Sequence, residues 1–472
     1  MNIFFTFLPI IILIILLFFN LLVFENTMAG PNQFALLIAT LLGGIISYQK
    51  NKNINILITG IIDSIKSSTN AIFILLIIGG LTSIWILSGF VPAMIYYGVE
   101  LMNPQFFLIT TCLICSIVSI STGSSWTTAA TIGIALIGIG NVLGINEGLV
   151  AGAIISGAYF GDKMSPLSET TNLAPSVSGT NLIDHIKYMT HTTLPSILIT
   201  LIIFFVIGLC STQKNIELGE IDVLMKSIES YFYIGTELFI LPFIIIILVY
   251  KKFSAIKTLL IGVLTGIVFA YIFQKGLIDD INTYTNKSGL ETIINTIFFG
   301  TDIRTNSESI NNLLMKDGVA GMLWIVLLVI TSMAFGGVMH AGGFLNRITS
   351  LLIPKKPTHA QLVSSTTGSC LFFNITTCDQ YMAIVIPGRM FKEVYKDNML
   401  DATNLSRTIE DSGTVTSVLV PWNSCAAYHS EMLAVNTMAY LPFCFFNIIS
   451  PFMTLMFAYM NIKIRKLNDN EK

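Results

Sequence analysis

Charge is what this chain of 472 residues has least of. Only 11% of its residues are Asp, Glu, Lys or Arg, while 53% are hydrophobic. An ordinary soluble domain carries about 25% charged residues. So small a supply cannot cover a water-facing surface, and a mean hydropathy of +0.76 agrees. A soluble enzyme and a disordered chain are both excluded, leaving an integral membrane protein. With 25 basic and 27 acidic residues the net charge is −2, which provides no basic surface for nucleic acid. Histidine is scarce: His185, His191, His340, His359 and His429 are scattered, with no i, i+4 pair to hold a metal. His340 and His429 lie near apolar runs and are candidates for proton transfer. The seven cysteines are odd in number. Cys112 and Cys115 fall inside the apolar run Phe107–Ile120, where they read as small packing residues; a redox pair needs an exposed, electropositive setting. The phosphate-binding pattern G-x-x-x-x-G-K-[ST] is absent, so an ion gradient is the expected energy source. Neither an enzyme nor a cofactor is expected.

Long apolar runs are abundant. They include Ile3–Val23, Phe34–Tyr48, Ala71–Gly89, Phe106–Ile120, Gly148–Phe160, Leu194–Cys210, Phe232–Tyr250, Thr258–Phe273, Val319–Met339 and Met432–Tyr459. Shorter or polar-interrupted stretches lie at Thr128–Ile139, Gln361–Phe373 and Tyr381–Ile386. The expected class is an all-α polytopic membrane protein with about 11–13 transmembrane helices, some incomplete. Ile3–Val23 lacks a positive flank and a clear cleavage site, so it reads as a retained first helix. Lys50, Lys52 and Lys66, then Lys251, Lys252 and Lys257, then Lys355 and Lys356, then Lys463, Arg465 and Lys466 mark four cytoplasmic segments. Both termini are then cytoplasmic. The acidic-leaning connections Ser211–Tyr231 and Gln274–Gly318 lie outside. This divides the chain into N-terminal helices (1–69), a first repeat (70–210), connecting helices with an extracellular linker (211–317), a second repeat (318–461) and a cytoplasmic tail (462–472).

The repeats announce themselves by polar tracts in apolar surroundings. Ser121–Thr128 holds Thr122, Gly123, Ser124, Ser125, Trp126 and Thr127, and Ser365–Cys370 holds Thr367, Gly368 and Ser369 as its counterpart. A polar segment follows each: Gly161–Asn172 with Asp162, Lys163, Glu169, Thr170 and Asn172, and Arg407–Ser417 with Glu410, Asp411, Ser412 and Thr414. Pro175 and Pro421 come after them. The charge bias gives the two units opposite topology. Inverted repeats with re-entrant hairpins and broken helices belong to secondary transporters.

Non-helical backbone survives at membrane depth only where it lines a cavity or is buried in protein. Its freed carbonyls and neighbouring hydroxyls are hard oxygen donors suited to Na⁺; Asn374, Thr376 and Thr377 join that set in the second half. Carboxylates placed there are costly and face a pathway, which singles out Asp162, Glu169, Asp379, Glu410 and Asp411 for proton and cation coupling. A carboxylate that holds either H⁺ or Na⁺ couples the two, because the occupants exclude each other. Asp162 beside Lys163 also admits a local ion pair. Asp401 and Glu393, among Arg389, Lys392, Lys396 and Arg407, read as solvated loop charges. Glu147 and Asp184 read as helix-end residues. Trp126 and Trp422 either wall the site or pack in the core.

At these blocks the sequence resembles the NhaC-type sodium/proton antiporters. The resemblance rests on Thr122–Thr128 with Thr131–Gly133, on Ile154–Pro175, on Leu405–Thr414 and on Val420–Asn423. It implies a multi-pass exchanger of the bacterial plasma membrane, with two inverted repeats and paired hairpins, moving Na⁺ against H⁺. The family includes malate/lactate-type exchangers and amino-acid carriers, so a small organic anion is an alternative cargo; Asn172, Asn374 and Asn423 would supply its amides. A homodimer is compatible with the resemblance. Cys370, standing where the first repeat has Ser125, departs from strict equivalence of the two hairpin tips.

Overall fold

In hydrocarbon every backbone N–H and C=O must be paired within the protein, so apolar runs can only become helices. The computed structural model describes residues 3–467 except 25–26, 28, 211–217, 252, 305–310, 312–313, 346 and 349–356. Among the described residues the regular structure is helical throughout, apart from one isolated bridge between Leu400 and Lys466. Lys252, Lys355 and Lys356 of the cytoplasmic segments, and residues 211–217 of the connection 211–231, lie outside the described residues.

Helices α1 (Ile3–Val23), α2 (Pro31–Asn51), α3 (Ile54–Ser67), α4 (Thr69–Leu87) and α5 (Phe90–Leu101) precede the first motif-bearing unit. That unit comprises α6 (Phe107–Thr122), α7 (Ser125–Val142), α8 (Glu147–Met164), α9 (Glu169–Ser178) and α10 (Leu182–Cys210). The connecting region folds as α11 (Leu218–Tyr231), α12 (Ile240–Tyr250), α13 (Ala255–Phe273), α14 (Lys275–Thr285) and α15 (Gly289–Phe299). The second half follows as α16 (Gly318–Ala341), α17 (His359–Thr376), α18 (Gln380–Asp397), α19 (Ala402–Ile409), α20 (Ser424–Leu433), α21 (Thr437–Phe443) and α22 (Phe445–Tyr459). The linker expected at 274–318 is thus partly helical, with α15 started by a capping box of Ser288 and Glu291.

Seven described helices are long and apolar enough to cross a membrane, or nine when each bent pair counts as one span. The remainder of the expected spans are helices such as α8 and α17. These carry the polar motifs and are walled by protein, so they do not need a lipid-matching composition. Helix α8 is buried nearly all round. Its glycines bring it against α6: a Cβ on Gly157 would stand 2.2 Å from the Cys112 carbonyl oxygen, and one on Gly161 would stand 2.5 Å from that of Ser116. The Ser119 hydroxyl donates to the Ala158 carbonyl at 2.6 Å. Small residues that let backbones touch, plus an interhelical hydrogen bond, are how helices associate without a hydrophobic drive between them. Cys112 and Cys115 are buried on this face of α6, and neither is in a disulfide.

The two units match without a gap. Left-handed residues end helices at Gly123 and Cys378, at Gly144 and Met399, and at Gly179 and Ala434. Side-chain N-caps start the helices after the first two pairs at Ser124 and Asp379 and at Asn146 and Asp401, and start the helices that the third pair ends at Ser168 and Asn423. Pro166 and Pro421 sit in the second break of each unit. Every one of these pairs is separated by 255 positions, as 123 is from 378.

This register corrects three sequence assignments. Ser365–Cys370, with Thr367, Gly368 and Ser369, lies in the middle of α17 and is not a hairpin tip; the tip is Thr377–Asp379. The counterpart of Pro421 is Pro166, whereas Pro175 is inside α9. Cys370 is not equivalent to Ser125: the structural partners are Gly123 with Cys378 and Ser125 with Gln380. Small hydroxyl residues serve helix packing as well as helix breaking, so a tract of them does not mark a break. A left-handed residue followed by a capping side chain does.

Two glycines test the reassignment. At Gly123, φ is +69° and a Cβ would come within 2.6 Å of Leu167 Cβ; at Gly368 nothing lies within 4 Å. Gly123→Ala should lower stability by about 1–3 kcal/mol. Gly368→Ala should raise it by about 0.5–1 kcal/mol, as expected inside a helix. Thermal unfolding of the purified variants reads both; equal losses would make 365–370 a second tip.

Candidate functional site

The site is built where the α6–α7 tip meets the α8–α9 break. Beyond its contact with the Leu167 side chain, a Cβ on Gly123 would approach the Ser168 nitrogen to 2.9 Å, so only glycine lets the two breaks touch. The Ser165 hydroxyl donates to the Ile120 carbonyl at 2.7 Å and ties them together. Ser124 caps α7 by accepting from the Thr127 amide. The next residue, Ser125, donates both its backbone N–H (3.0 Å) and its hydroxyl (2.7 Å) to one carboxylate oxygen of Asp162. Asp162 closes the last turn of α8, so the start of α7 presents its positive end to that carboxylate.

A cavity of about 360 Å³ opens onto this junction. Thr122, Gly123, Ser124, Thr127, Asp162, Glu169 and Thr170 line it, as do Trp126 and Ser168, and Gln380 and Tyr381 arrive from the second half. The Tyr381 hydroxyl donates to Glu169 at 2.6 Å across the two units. Seven of the residues singled out by sequence are thus brought to one cavity.

Lys163 points elsewhere. It is fully buried and forms an ion pair with Asp411, which is equally buried. Its ammonium also donates to the Ser450 hydroxyl at 3.2 Å. The second oxygen of Asp411 accepts from Thr192 at 2.8 Å and from Thr454. The local pairing of Lys163 with Asp162 is therefore replaced by a bridge from the first unit to the second. A buried cation needs a counter-charge with its remaining positions satisfied; one beside it in sequence, at the cavity, would not meet that need.

Glu410 and Asp411 begin a π-helical segment, Glu410–Thr414. Such bulges swing consecutive side chains away from the regular helical spacing. Glu410 is fully buried, and neither oxygen has a hydrogen-bond partner. The hydroxyls of Thr170 and Thr414 lie beside it without closing a hydrogen bond, and it faces both Lys163 and Asp162. Thr170 therefore has one side on the cavity and the other on Glu410.

The other sequence candidates serve the framework. Asp379 accepts from the Met382 amide at 3.1 Å as an N-cap and does not line the cavity. Asn172 is exposed and closes the α8–α9 break by donating to the carbonyls of Pro166 and Ser168. Asn374 donates to the Gly413 carbonyl at 2.7 Å and to Thr416, and accepts from Asn423, fastening α17 to the π segment. Ser412 donates to Thr367 at 3.1 Å. Ser369, Thr376 and Thr377 donate to carbonyls of their own helix. Gly368 meets nothing. Glu147 and Asp184 lie in first helical turns, as expected. Arg407, among the basic neighbours of Asp401 and Glu393, is fully buried, its guanidinium lies 4.5 Å from the Tyr188 ring, and none of its nitrogens has a hydrogen-bond partner. The signal for Lys163 was available, since a lysine inside an apolar helix demands a partner; the identity of a partner 248 positions away was not.

A second cavity, of about 920 Å³, adjoins Pro421 at the equivalent break and includes Asp317, Trp324, Ala427 and Glu431. Trp126, in the first cavity wall, stacks on Tyr428 with ring centroids 4.4 Å apart, and the Tyr428 hydroxyl donates to the Trp126 carbonyl. Tyr428 follows Ala427, which lines the second cavity.

Removing one member of the buried pair leaves the other uncompensated. Lys163→Met or Asp411→Leu alone should cost about 3–5 kcal/mol of stability, and the double variant clearly less than the sum. A double-mutant cycle on thermal unfolding measures this; strict additivity would mean that the two side chains do not interact.

Comparison with known proteins places this geometry. The model of the Na⁺/H⁺ antiporter family matches residues 157–462. The Na⁺/H⁺ antiporter NhaC of Alkalihalophilus pseudofirmus is 37% identical over 87% of this chain and 86% of its own length. The malate-2H⁺/Na⁺-lactate antiporter of Bacillus subtilis is 34% identical over 91% and 89%. The arginine/ornithine antiporter ArcD of Halobacterium salinarum is 35% identical over 86% and 82%. With the family model matching well over half of the chain and a relative 37% identical over most of both lengths, the chain belongs to the Na⁺/H⁺ antiporter family.

Proposed function

We propose that the chain exchanges Na⁺ for H⁺ across the plasma membrane by alternating access, with Asp162 as the residue that holds either ion. One observation carries this reading: Asp162 faces the cavity at the meeting of two helix breaks while the lysine beside it is committed to Asp411. That leaves a negative carboxylate, oriented by Ser125 and surrounded by hydroxyls and freed carbonyls, without a protein cation of its own. Na⁺ fits such an oxygen set, and a proton on the same carboxylate displaces it. Glu410 stands behind Thr170 as the second carboxyl of the path. It is buried and undonated, the setting in which a neutral, protonated acid costs least, and it receives the proton that Na⁺ displaces from Asp162.

Direction follows from charge. The first cavity is walled by the starts of α4 and α13, at Ala71, Ile74, Phe253 and Ser254, next to Lys66, Lys251 and Lys257. The second cavity adjoins Asp317, at the end of the acidic-leaning connection. By the excess of lysine on the cytoplasmic side, the first cavity opens inward and the second outward, in keeping with two units of inverted topology and with both termini cytoplasmic. The relatives named as Na⁺/H⁺ antiporters support the reading.

A second reading is favoured by the relative named as a malate-2H⁺/Na⁺-lactate antiporter, similar over nearly the whole chain: here an organic anion travels with the cations.

Proteoliposomes with a preset pH gradient separate the two. Na⁺ alone should dissipate the gradient if the first reading holds; dissipation only when malate or lactate is also supplied gives the second. Asp162→Asn should lower exchange at least about a hundredfold and remove stabilisation of the purified protein by Na⁺, as expected when a charge is lost from a low-dielectric site. Glu410→Gln should keep the Na⁺-dependent stabilisation and lose exchange. Exchange at the wild-type rate in Asp162→Asn would end the proposal.

A further inference from the structure

We infer that the chain carries a binding site for the phosphate of an anionic phospholipid, where the start of α10 meets the segment after α22. The inference rests on the chain being a membrane protein and is independent of which ions it exchanges. A cavity of about 350 Å³ is lined there by Lys187, His191, Lys463 and Arg465, with Asp184 as its one carboxylate and Tyr188 in its wall. Lys187, Lys463 and Arg465 form no ion pair among the described residues. Asp184 is already engaged by the Asn181 amide.

The pocket is built, not a chance gathering of surface lysines. The Tyr188 hydroxyl donates to Asn404 at 2.6 Å and to the Lys463 carbonyl at 2.5 Å. The Asp401 amide donates to the Arg465 carbonyl at 3.0 Å, and the Leu467 amide to the Met399 carbonyl at 3.0 Å. The segment that bears Lys463 and Arg465 is therefore strapped to α10 and to the turn before α19, which fixes the spacing of its cations against Lys187 and His191. Behind Tyr188 the buried Arg407 guanidinium adds a further positive charge without a hydrogen-bond partner.

What lies below the pocket selects the ligand. Helices α10 and α22 pack together. Their outer faces leading away from the pocket are apolar and exposed: Leu194, Leu198 and Ile202 on α10, and Phe452, Met456 and Tyr459 on α22. Spaced at i, i+4 and i+8 on α10, these side chains form one stripe about 12 Å long. A concentrated positive pocket above a hydrophobic surface matches a phosphate-bearing headgroup above its acyl chains. Free phosphate shares the headgroup chemistry but has no use for the stripe.

The test is thermal unfolding of the purified full chain titrated with short-chain phosphatidylglycerol, phosphatidylcholine or inorganic phosphate. Phosphatidylglycerol should raise Tm more than phosphatidylcholine at equal concentration. Lys187→Gln, Lys463→Gln and Arg465→Gln should each weaken that response roughly fivefold. Lys463→Arg, which keeps the charge, should retain the response, and Lys50→Gln, in a distant basic connection, should leave it unchanged. A rise of the same size with inorganic phosphate, lost in the same variants, supports the pocket and assigns it to a soluble anion. Equal responses to the two lipids, or an undiminished response in the triple variant, would overturn the inference.

Discussion

The structure depends on one constraint: a helix that stops inside a membrane must have its loose backbone groups satisfied by protein. Two of the breaks in each unit meet this with the same device, a left-handed residue that turns the chain followed by a side chain that caps the next helix. Ser124 and Asn146 do it in the first unit, and Asp379 and Asp401 in the second; Ser168 and Asn423 cap their helices after an extended stretch. Because the caps fix where the breaks fall, they also fix which side chains the breaks expose. Asp162 reaches the cavity because α8 ends two residues later and because Ser125, the first residue past a cap, offers it two donors.

The two units do not use their shared frame identically. The first contributes the cavity-facing carboxylate and the lysine next to it. The second contributes the π segment that presents Glu410 toward the first unit and Asp411 toward Lys163. The buried pair thus joins the units at a point adjacent in sequence to both carboxylates of the proposed path. Any relative movement of the units that strains this pair is felt by Asp162 through one peptide bond and by Glu410 through another. The fold in this way ties the handling of ions to the position of one unit against the other.

Much of this was legible in the amino-acid order. Eleven per cent charge means a membrane protein, the polar tracts reveal two related units, and Asp162 and Glu169 stand out as acids in apolar company. The register of the second unit was not legible, because Ser365–Cys370 looks like a break yet lies mid-helix, with the Thr366 and Ser369 hydroxyls bonded to carbonyls of their own helix. Cys378, which does end the helix, is not glycine and carries no signal of its own. The burial of Arg407 was not legible either, because it depends on Tyr188 of α10, distant in sequence, lying against its guanidinium. The partner of Lys163 was hidden for a related reason: sequence neighbours suggest Asp162, and a π bulge places Asp411 instead.

The stacked rings of Trp126 and Tyr428 have an electrical consequence. Water filling the two cavities carries the potential of each bulk phase inward, so the membrane voltage falls mainly across the dry material that separates them. An elementary charge crossing the full voltage does about 2.3 kcal/mol of work per 100 mV. An ion carried from one cavity to the other would do that work across the protein between them, not across the full width of the membrane. A rearrangement beside Trp126, on the wall of the first cavity, would connect the exchange cycle to the electrical state of the membrane.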